Sequence, residues 1–295
     1  MTPAAIGIEM GPRTVRAVAL GTGAPAILSR ADGRAANGNL PRAAKAVVQK
    51  VLPEGAGRIP ARVCAHDPSD VAIMKALGSI RALVDVPDEV VRAGEAAVVA
   101  ENWMGAATEV HTAVALVIGD QISAGILLNG QLWHGSHGLA GCAAWLALNP
   151  VERQDYRRTG CLHAEASSRG VARRFVWRIQ AGDQSAVLEK GADLDAITAD
   201  HVYDGARAHD GVAISVVRET ARYIGMAVAN LVSTIDPELV VLCGEVGRAG
   251  DLLLDPVRLE CARRLPPALA ARLRVEMSAL AEEAPAIGAA RLALS

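Results

Sequence analysis

The chain has 295 residues, of which 51% are hydrophobic and 21% charged, and its formal net charge is −2. This balance is typical of a globular protein with a sizeable core, and the lack of a basic excess argues against nucleic acid as a partner. No uncharged apolar stretch reaches the roughly 18 residues that a membrane span needs, and Glu9 interrupts the apolar run that a signal peptide would require. The five widely spaced cysteines favour reduced thiols and a cytoplasmic location.

Two predicted β-hairpins, each followed by helices, divide the chain into related halves. The first begins at Ala5, turns at Gly11 and returns to Leu20. The second spans residues 112–133, and Asn129-Gly130 is its turn signal. Apolar periodicity predicts the other elements in chain order: a helix at 41–51, a strand at 61–66, helices at 72–83, 93–104, 166–180, 194–208 and 211–235, a buried strand at 237–245, and helices at 251–265 and 285–294.

Glycines of the second half carry the most specific pattern in the sequence. The pattern begins with Ile118-Gly-Asp-Gln-Ile-Ser-Ala-Gly125 and continues through Asn129-Gly130, Ala140-Gly141 and Gly160-Cys161-Leu162. This frame resembles the ROK family of repressors, open reading frames and sugar kinases. The resemblance extends over nearly the whole chain, including its closing helix.

The resemblance implies a fold class and an activity. The fold would be the α/β actin-like ATPase (ribonuclease-H-like) fold, in which two α/β domains flank a cleft. Residues 1–107 with a terminal helix at about 283–295 would form the first domain, and residues 108–282 the second. Kinase-length members of the family commonly form homodimers through the second domain. Active members transfer a phosphoryl group from ATP to a sugar.

Three turns are expected to have held the nucleotide, and all three depart from the family pattern. The first, Asp-x-Gly-Gly-Thr-Lys in the family, resembles Glu9-Met-Gly11-Pro-Arg-Thr14, in which Pro12 lacks an N–H group and fixes φ. The second places Asp120 after Gly119, where phosphates would lie, and the third retains Gly244. Two interpretations stay open: residual nucleotide binding, or turns that are now only structural.

The general base shows the clearest departure. The family has an Asn-Asp-x-Asn tetrad at the start of a helix, and here the tetrad aligns with Arg92-Ala93-Gly94-Glu95. The base position is therefore Ala93, whose methyl group cannot accept a proton. Glu95 is the nearby carboxylate on the same helix, but two residues further on it faces a different direction. It is a weak substitute, and its alternative role is a favourable charge at the helix N-terminus.

Sugar and zinc positions are altered as well. The family's sugar-binding Glu and its His correspond to Cys142 and Trp145, and a later Glu corresponds to His163. Trp145 could stack on a flatter ligand or simply fill space. One of four zinc ligands remains, as Cys161, so no metal site is expected. The expected lining of the former sugar site is Arg92, Glu95, Cys142, Trp145 and His163.

These departures favour a pseudo-kinase that binds a small-molecule or protein ligand in the cleft and needs no cofactor. The first alternative is an active ATP-dependent hexose kinase with an altered site, which would use ATP and Mg²⁺. The second alternative is a different enzyme rebuilt in the same cleft around Cys142 and His163.

Overall fold

The computed structural model describes residues 3–22, 26–188 and 193–294. Its strands form two five-stranded mixed sheets. The first sheet has the order β3-β2-β1-β4-β5, and its strands are β1 (Ala5–Met10), β2 (Thr14–Leu20), β3 (Ile27–Arg34), β4 (Ala61–Ala65) and β5 (Val91–Arg92). The second has the order β10-β9-β6-β7-β8, built from β6 (Ala113–Ile118), β7 (Ile122–Leu128), β8 (Gln131–Leu132), β9 (Leu239–Cys243) and β10 (Arg274–Met277). Each sheet therefore starts from an antiparallel hairpin and adds parallel strands on one side.

The helices cover both sheets. Those of the first half are α1 (Leu40–Val51), α2 (Val71–Ile80) and α3 (Ala93–Met104). The second half contains α4 (Gln154–Thr159), α5 (Cys161–Ala166), α6 (Ser168–Gln180), α7 (Ala199–Arg207), α8 (Gly211–Ile235), α9 (Gly250–Ala262), α10 (Pro267–Ala270) and α11 (Ala284–Leu292). The predicted helix at 166–180 is divided between α5 and α6 by Ser167, whose side chain caps α6 by accepting from the Gly170 N–H group.

Two helices, α3 and α11, lie between the sheets and fix their spacing. They pack directly on each other, because a Cβ atom added at Gly288 would lie 1.7 Å from the Ala96 carbonyl oxygen. A Cβ atom at Gly7 would similarly lie 1.8 Å from the Ala286 oxygen, so α11 also lies on β1. The apolar cluster at this level includes side chains of both sheets, such as Leu20 and Val117. The closing helix thus joins the first sheet although it follows the second in sequence.

Turn residues support the two predicted hairpins. Asn129 and Gly130 have φ values of 51° and 78°, the left-handed pair that a two-residue hairpin turn requires. The long helix α8 is capped at its start by Asp210, whose carboxylate accepts from the Ala213 N–H group at 2.8 Å, and left-handed Asp236 follows its last residue. Within the described residues no helix combines the length and the apolar character needed to cross a bilayer.

Candidate active site in the cleft between the sheets

A cavity of about 350 Å³ lies where the turns of the two sheets meet. It is bordered by the β1–β2 turn, the β6–β7 turn and the turn that follows β9. All six residues predicted for the nucleotide turns line it: Glu9, Gly11, Thr14, Gly119, Asp120 and Gly244. The structure therefore brings three segments that are far apart in sequence to one site.

The backbone of these turns is tightly constrained. Gly244 has a φ of 91°, and a Cβ atom there would lie 2.7 Å from the Ile118 carbonyl oxygen. Its N–H group donates to the Ala281 oxygen at 3.0 Å. In the first turn, the Gly11 N–H group donates to the Thr14 oxygen at 2.8 Å. These two N–H groups already have protein partners, so other donors would have to bind a phosphate.

Charge in the cavity is predominantly acidic. Its lining includes three arginines, at positions 16, 34 and 248, and five carboxylates, at positions 9, 32, 120, 245 and 282. Arg16 joins two of the acids, through Nη1 to Glu9 at 3.0 Å and through Nη2 to Glu282 at 2.7 Å. Among the described residues, the cations within 4.0 Å of Asp120 are Arg169 at 3.7 Å and Arg13 at 3.8 Å, both beyond hydrogen-bond distance. A nucleotide phosphate entering this cavity would meet more negative than positive charge.

Burial changes the protonation of two of these acids. The pKa of Glu9 is raised to about 7, because burial outweighs the attraction of Arg16 and because Glu282 and Glu245 add repulsion. The pKa of Glu245 is also raised by burial, although Ser168 donates a hydrogen bond to its carboxylate at 2.5 Å. Because the pKa of Glu9 lies close to neutral pH, that carboxyl group carries less negative charge there than an exposed acid would.

The altered base position is inside the protein. Ala93 is the first residue of α3 and is fully buried. Glu95 is also buried, and its Oε1 atom lies 2.8 Å from Nδ1 of His134. Its Oε2 atom accepts from the Arg92 N–H group at 3.4 Å. Glu95 therefore holds the start of α3 and a neighbouring loop, and it does not line the acidic cavity.

Glu95 and Arg92 line a second cavity of about 580 Å³. Arg92 donates from Nε to the Gly138 oxygen at 3.0 Å, which joins the loop after β8 to the start of α3. His134 and His137 of this loop lie in the same lining. The residues expected to surround a sugar are thus divided, since Arg92 and Glu95 lie here and the other three lie elsewhere.

The other three expected residues, Cys142, Trp145 and His163, lie in the segment that runs from the loop after β8 to helix α5. Cys142 is half-buried, and Trp145, at the end of a short 3₁₀ turn, is 57% exposed. His163 is a half-buried residue of α5, and its pKa is lowered by burial and by Arg169 and Arg173. Within the described part of the chain no hydrogen bond joins Cys142 to His163, so the structure does not assemble the thiol–imidazole pair that the second alternative requires.

His66 is a cleft residue that sequence reasoning missed. It follows β4 directly, its side chain is 11% exposed, and its ring lines the acidic cavity. Nδ1 lies 2.9 Å from Ser123 Oγ on β7, and Nε2 lies 4.0 Å from Glu9 Oε1 on β1. Burial, with a smaller effect of His163, lowers the pKa of His66 to about 4, so its imidazole is neutral at pH 7. The sequence feature that could have drawn attention to His66 is its position at the end of the strand predicted at 61–66.

A charged network occupies the region of the family's zinc motif. Glu165 is buried and accepts from Tyr156 Oη at 2.5 Å and from Arg153 Nη1 at 2.8 Å. Cys161 packs beside Tyr156 in a small apolar cluster. Across residues 3–22, 26–188 and 193–294, no group of three or more His, Cys, Asp or Glu side chains could hold a metal ion. The residues present therefore do not suit zinc, and the absence of zinc stays a prediction.

Comparison with known proteins relates the chain to sugar kinases. It is 31% identical over 194 residues to a glucokinase of Halalkalibacterium halodurans, a match that covers 65% of this chain and 59% of that protein. The chain thus spans about three fifths of the length of this curated relative. A ROK glucokinase from Streptomyces griseus, solved with glucose and AMPPNP, has a TM-score of 0.79 at 24% identity and 98% coverage of both chains. The predicted actin-like ATPase fold is confirmed by such neighbours.

The relatives also correct one expectation from composition. The "DNA-binding transcriptional dual regulator NagC" of Escherichia coli is 26% identical over 159 residues, which are 54% of this chain and 38% of that protein. The exclusion of nucleic acid as a partner was therefore wrong, because net charge near zero does not separate this chain from relatives that bind DNA.

The family assignment rests on most of the chain. A model of the ROK family matches residues 65–295, which include α3, the whole second sheet and the closing helix. The prediction made from the glycine frame is confirmed, and the chain belongs to the ROK family.

Proposed function

We propose that this protein is an ATP-dependent hexose kinase of the glucokinase type with an altered catalytic centre. The observation that carries the proposal is the convergence of the three glycine turns on one cavity between the sheets, in a chain whose relatives include glucokinases. The sequence alone favoured a lost activity. The relatives favour the active alternative, so it takes first place.

The site supports a slow reaction. A positioned general base typically contributes about 10²–10⁴ in rate, and Ala93 supplies none. The acidic lining opposes a nucleotide phosphate, so ATP affinity is expected to be low. Kinases use ATP with Mg²⁺, which is held chiefly by phosphate and water oxygens together with one or two carboxylates. Among residues 3–22, 26–188 and 193–294, no three-residue group of His, Cys, Asp or Glu could hold the ion by itself, so the ion would have to enter bound to the phosphates of ATP.

A second candidate is sugar binding without phosphoryl transfer. Two observations favour it: the buried methyl group of Ala93 at the base position, and the engagement of Glu95 with His134 away from the acidic cavity. This candidate would retain the binding of a sugar and lose only the chemical step.

One experiment separates the two candidates. ADP release is measured with glucose, mannose, N-acetylglucosamine and N-acetylmannosamine, and thermal unfolding is followed with the same sugars and with ATP. A bound ligand at 100 times its Kd adds about 2.7 kcal/mol to stability, which is readily detected. Turnover above background supports the kinase. Stabilisation by a sugar with no ADP release would refute the kinase and favour the second candidate.

A charge variant tests whether ATP occupies the acidic cavity. Asp120→Asn removes one negative charge from its lining, and it should lower the KM for ATP roughly fivefold, because two charges about 4 Å apart interact by about 1 kcal/mol even in a water-like medium. Asp255→Asn is the matched control, since that side chain is 90% exposed and lies on α9. An equal KM in both variants would place the nucleotide elsewhere.

A further inference from the structure

The pairing of β4 with β5 places an imidazole beside the position that lacks a base. These strands are parallel, and their register joins Cys64 to Val91 and Ala65 to Arg92. His66 and Ala93 are the first residues beyond the ends of these two strands. Neighbouring parallel strands are about 4.8 Å apart, so the His66 backbone ends at the same edge of the sheet as the start of α3.

The ring of His66 is held between the two sheets. Ser123 of β7 lies 2.9 Å from Nδ1, and Nε2 is left on the side of the acidic cavity, 4.0 Å from Glu9 Oε1. That second separation is too long for a hydrogen bond. If the Nδ1–H group donates to Ser123, the lone pair of Nε2 is free to accept a proton.

Other acceptors in the cavity are less suitable. Glu9 and Glu282 are both bound to Arg16 at 3.0 Å or less, and Glu245 accepts from Ser168. Asp32 lies at the exposed rim on β3, and Asp120 belongs to the phosphate turn beside Gly119, where Arg169 and Arg13 lie within 3.8 Å of it. His66 is neutral at pH 7 because its pKa is low, and the approach of negatively charged phosphates would raise that pKa towards the range useful for catalysis.

We propose that His66 accepts the proton of the sugar hydroxyl in this protein, and that Ser123 is a positioning residue that selects its tautomer. The proposal rests on the proposed kinase function. The hydroxyl O–H bond breaks and its proton moves to Nε2, while the sugar oxygen bonds to the γ-phosphorus of ATP. The bond between the γ-phosphorus and its bridging oxygen breaks, and ADP leaves with that electron pair.

The test uses two amide replacements of the ring. In His66→Asn the side-chain N–H group takes the place of Nδ1 and preserves the bond to Ser123, but no basic nitrogen remains. We expect kcat to fall by about 10²–10⁴, with sugar and ATP stabilisation in thermal unfolding unchanged. His66→Gln, which places its amide near Nε2, provides a second measurement if the first variant does not fold.

A third variant tests the positioning role. Ser123→Ala leaves the ring in place and frees its tautomer, so kcat should fall while the KM for hexose stays the same. A role only in packing would instead change stability without this division between kcat and KM. Wild-type activity in folded His66→Asn or His66→Gln would overturn the assignment of His66 alone. Absence of kinase activity in the wild-type protein would instead refute the proposed function on which it rests.

Discussion

Glu9 should make the stability of the protein fall as the pH rises. Its pKa is about 4.5 in an unfolded chain and about 7 in the folded protein. Between these values the folded state binds more protons than the unfolded state, so stability decreases with pH. The two pKa values differ by an amount equivalent to about 3 kcal/mol, because each pH unit is worth about 1.4 kcal/mol. The loss begins above pH 4.5 and is complete above pH 7.

Glu9→Gln removes this titration and is the variant to measure. Glutamine keeps an oxygen that can accept from Arg16, and Arg16 also retains Glu282. Between pH 5 and pH 8 the variant should therefore gain about 2 kcal/mol relative to wild type, most of the full difference. Urea unfolding at several pH values provides the free energies of both proteins.

The control is Glu89→Gln, which changes a carboxyl group whose side chain is 78% exposed. This control removes the same formal charge at an exposed position, so the difference between the two variants isolates the effect of burial at Glu9. Parallel curves for Glu9→Gln and wild type would refute the reasoning. If Glu9→Gln were instead less stable than wild type at high pH, Arg16 would be keeping Glu9 ionised in spite of its burial.

The remaining predictions concern packing, the charged network and metal content. Gly288→Ala should lower the free energy of unfolding in urea by about 1–3 kcal/mol, because the new Cβ atom would lie 1.7 Å from the Ala96 carbonyl oxygen. Gly57→Ala, with no atom near its Cβ position, should cost nothing, and equal effects would contradict this account. Glu165→Gln should cost about 1–3 kcal/mol, because buried Arg174 and Tyr156 lose a charged acceptor while Arg153 keeps Asp155, and a cost below 1 kcal/mol would count against the network. Elemental analysis should find far less than one zinc per chain, and a full equivalent would disprove the loss of the zinc site.

Periodicity predicted most of the core elements because their apolar residues repeat clearly. Helices α3 and α8 begin and end at the predicted residues, and both hairpins form. Strand β3 was missed because the apolar residues of Ile27–Arg34 alternate poorly, and because none of its eight residues is fully buried at this sheet edge. Strand β10 was missed because Arg274–Met277 has one buried residue. Edge strands depend on pairing partners, which local sequence does not reveal.

The site was predictable only where backbone requirements mark it. Glycines identified the three turns, and all the residues named there line one cavity. The expected sugar residues instead lie in separate places, since Glu95 binds His134 and Trp145 is exposed. The position of His66 at the end of a predicted strand places it near a sheet edge but does not indicate its role. Its significance depends on β4 pairing with β5 and on Ser123 of the other sheet.

Backbone packing explains why the family frame persists beside altered chemistry. A Cβ atom at Gly125 would lie 1.9 Å from the Gly94 oxygen, and one at Gly141 would lie 1.9 Å from the Ala124 oxygen. These contacts hold α3 and the loop at 141 against β7, whatever side chains face the cavity. The glycine frame therefore specifies the position of the cleft and leaves the proton acceptor unspecified. In the proposed kinase the proton transfer would therefore depend on His66 and Ser123 and not on the glycine frame, and the kcat of His66→Asn tests this dependence directly.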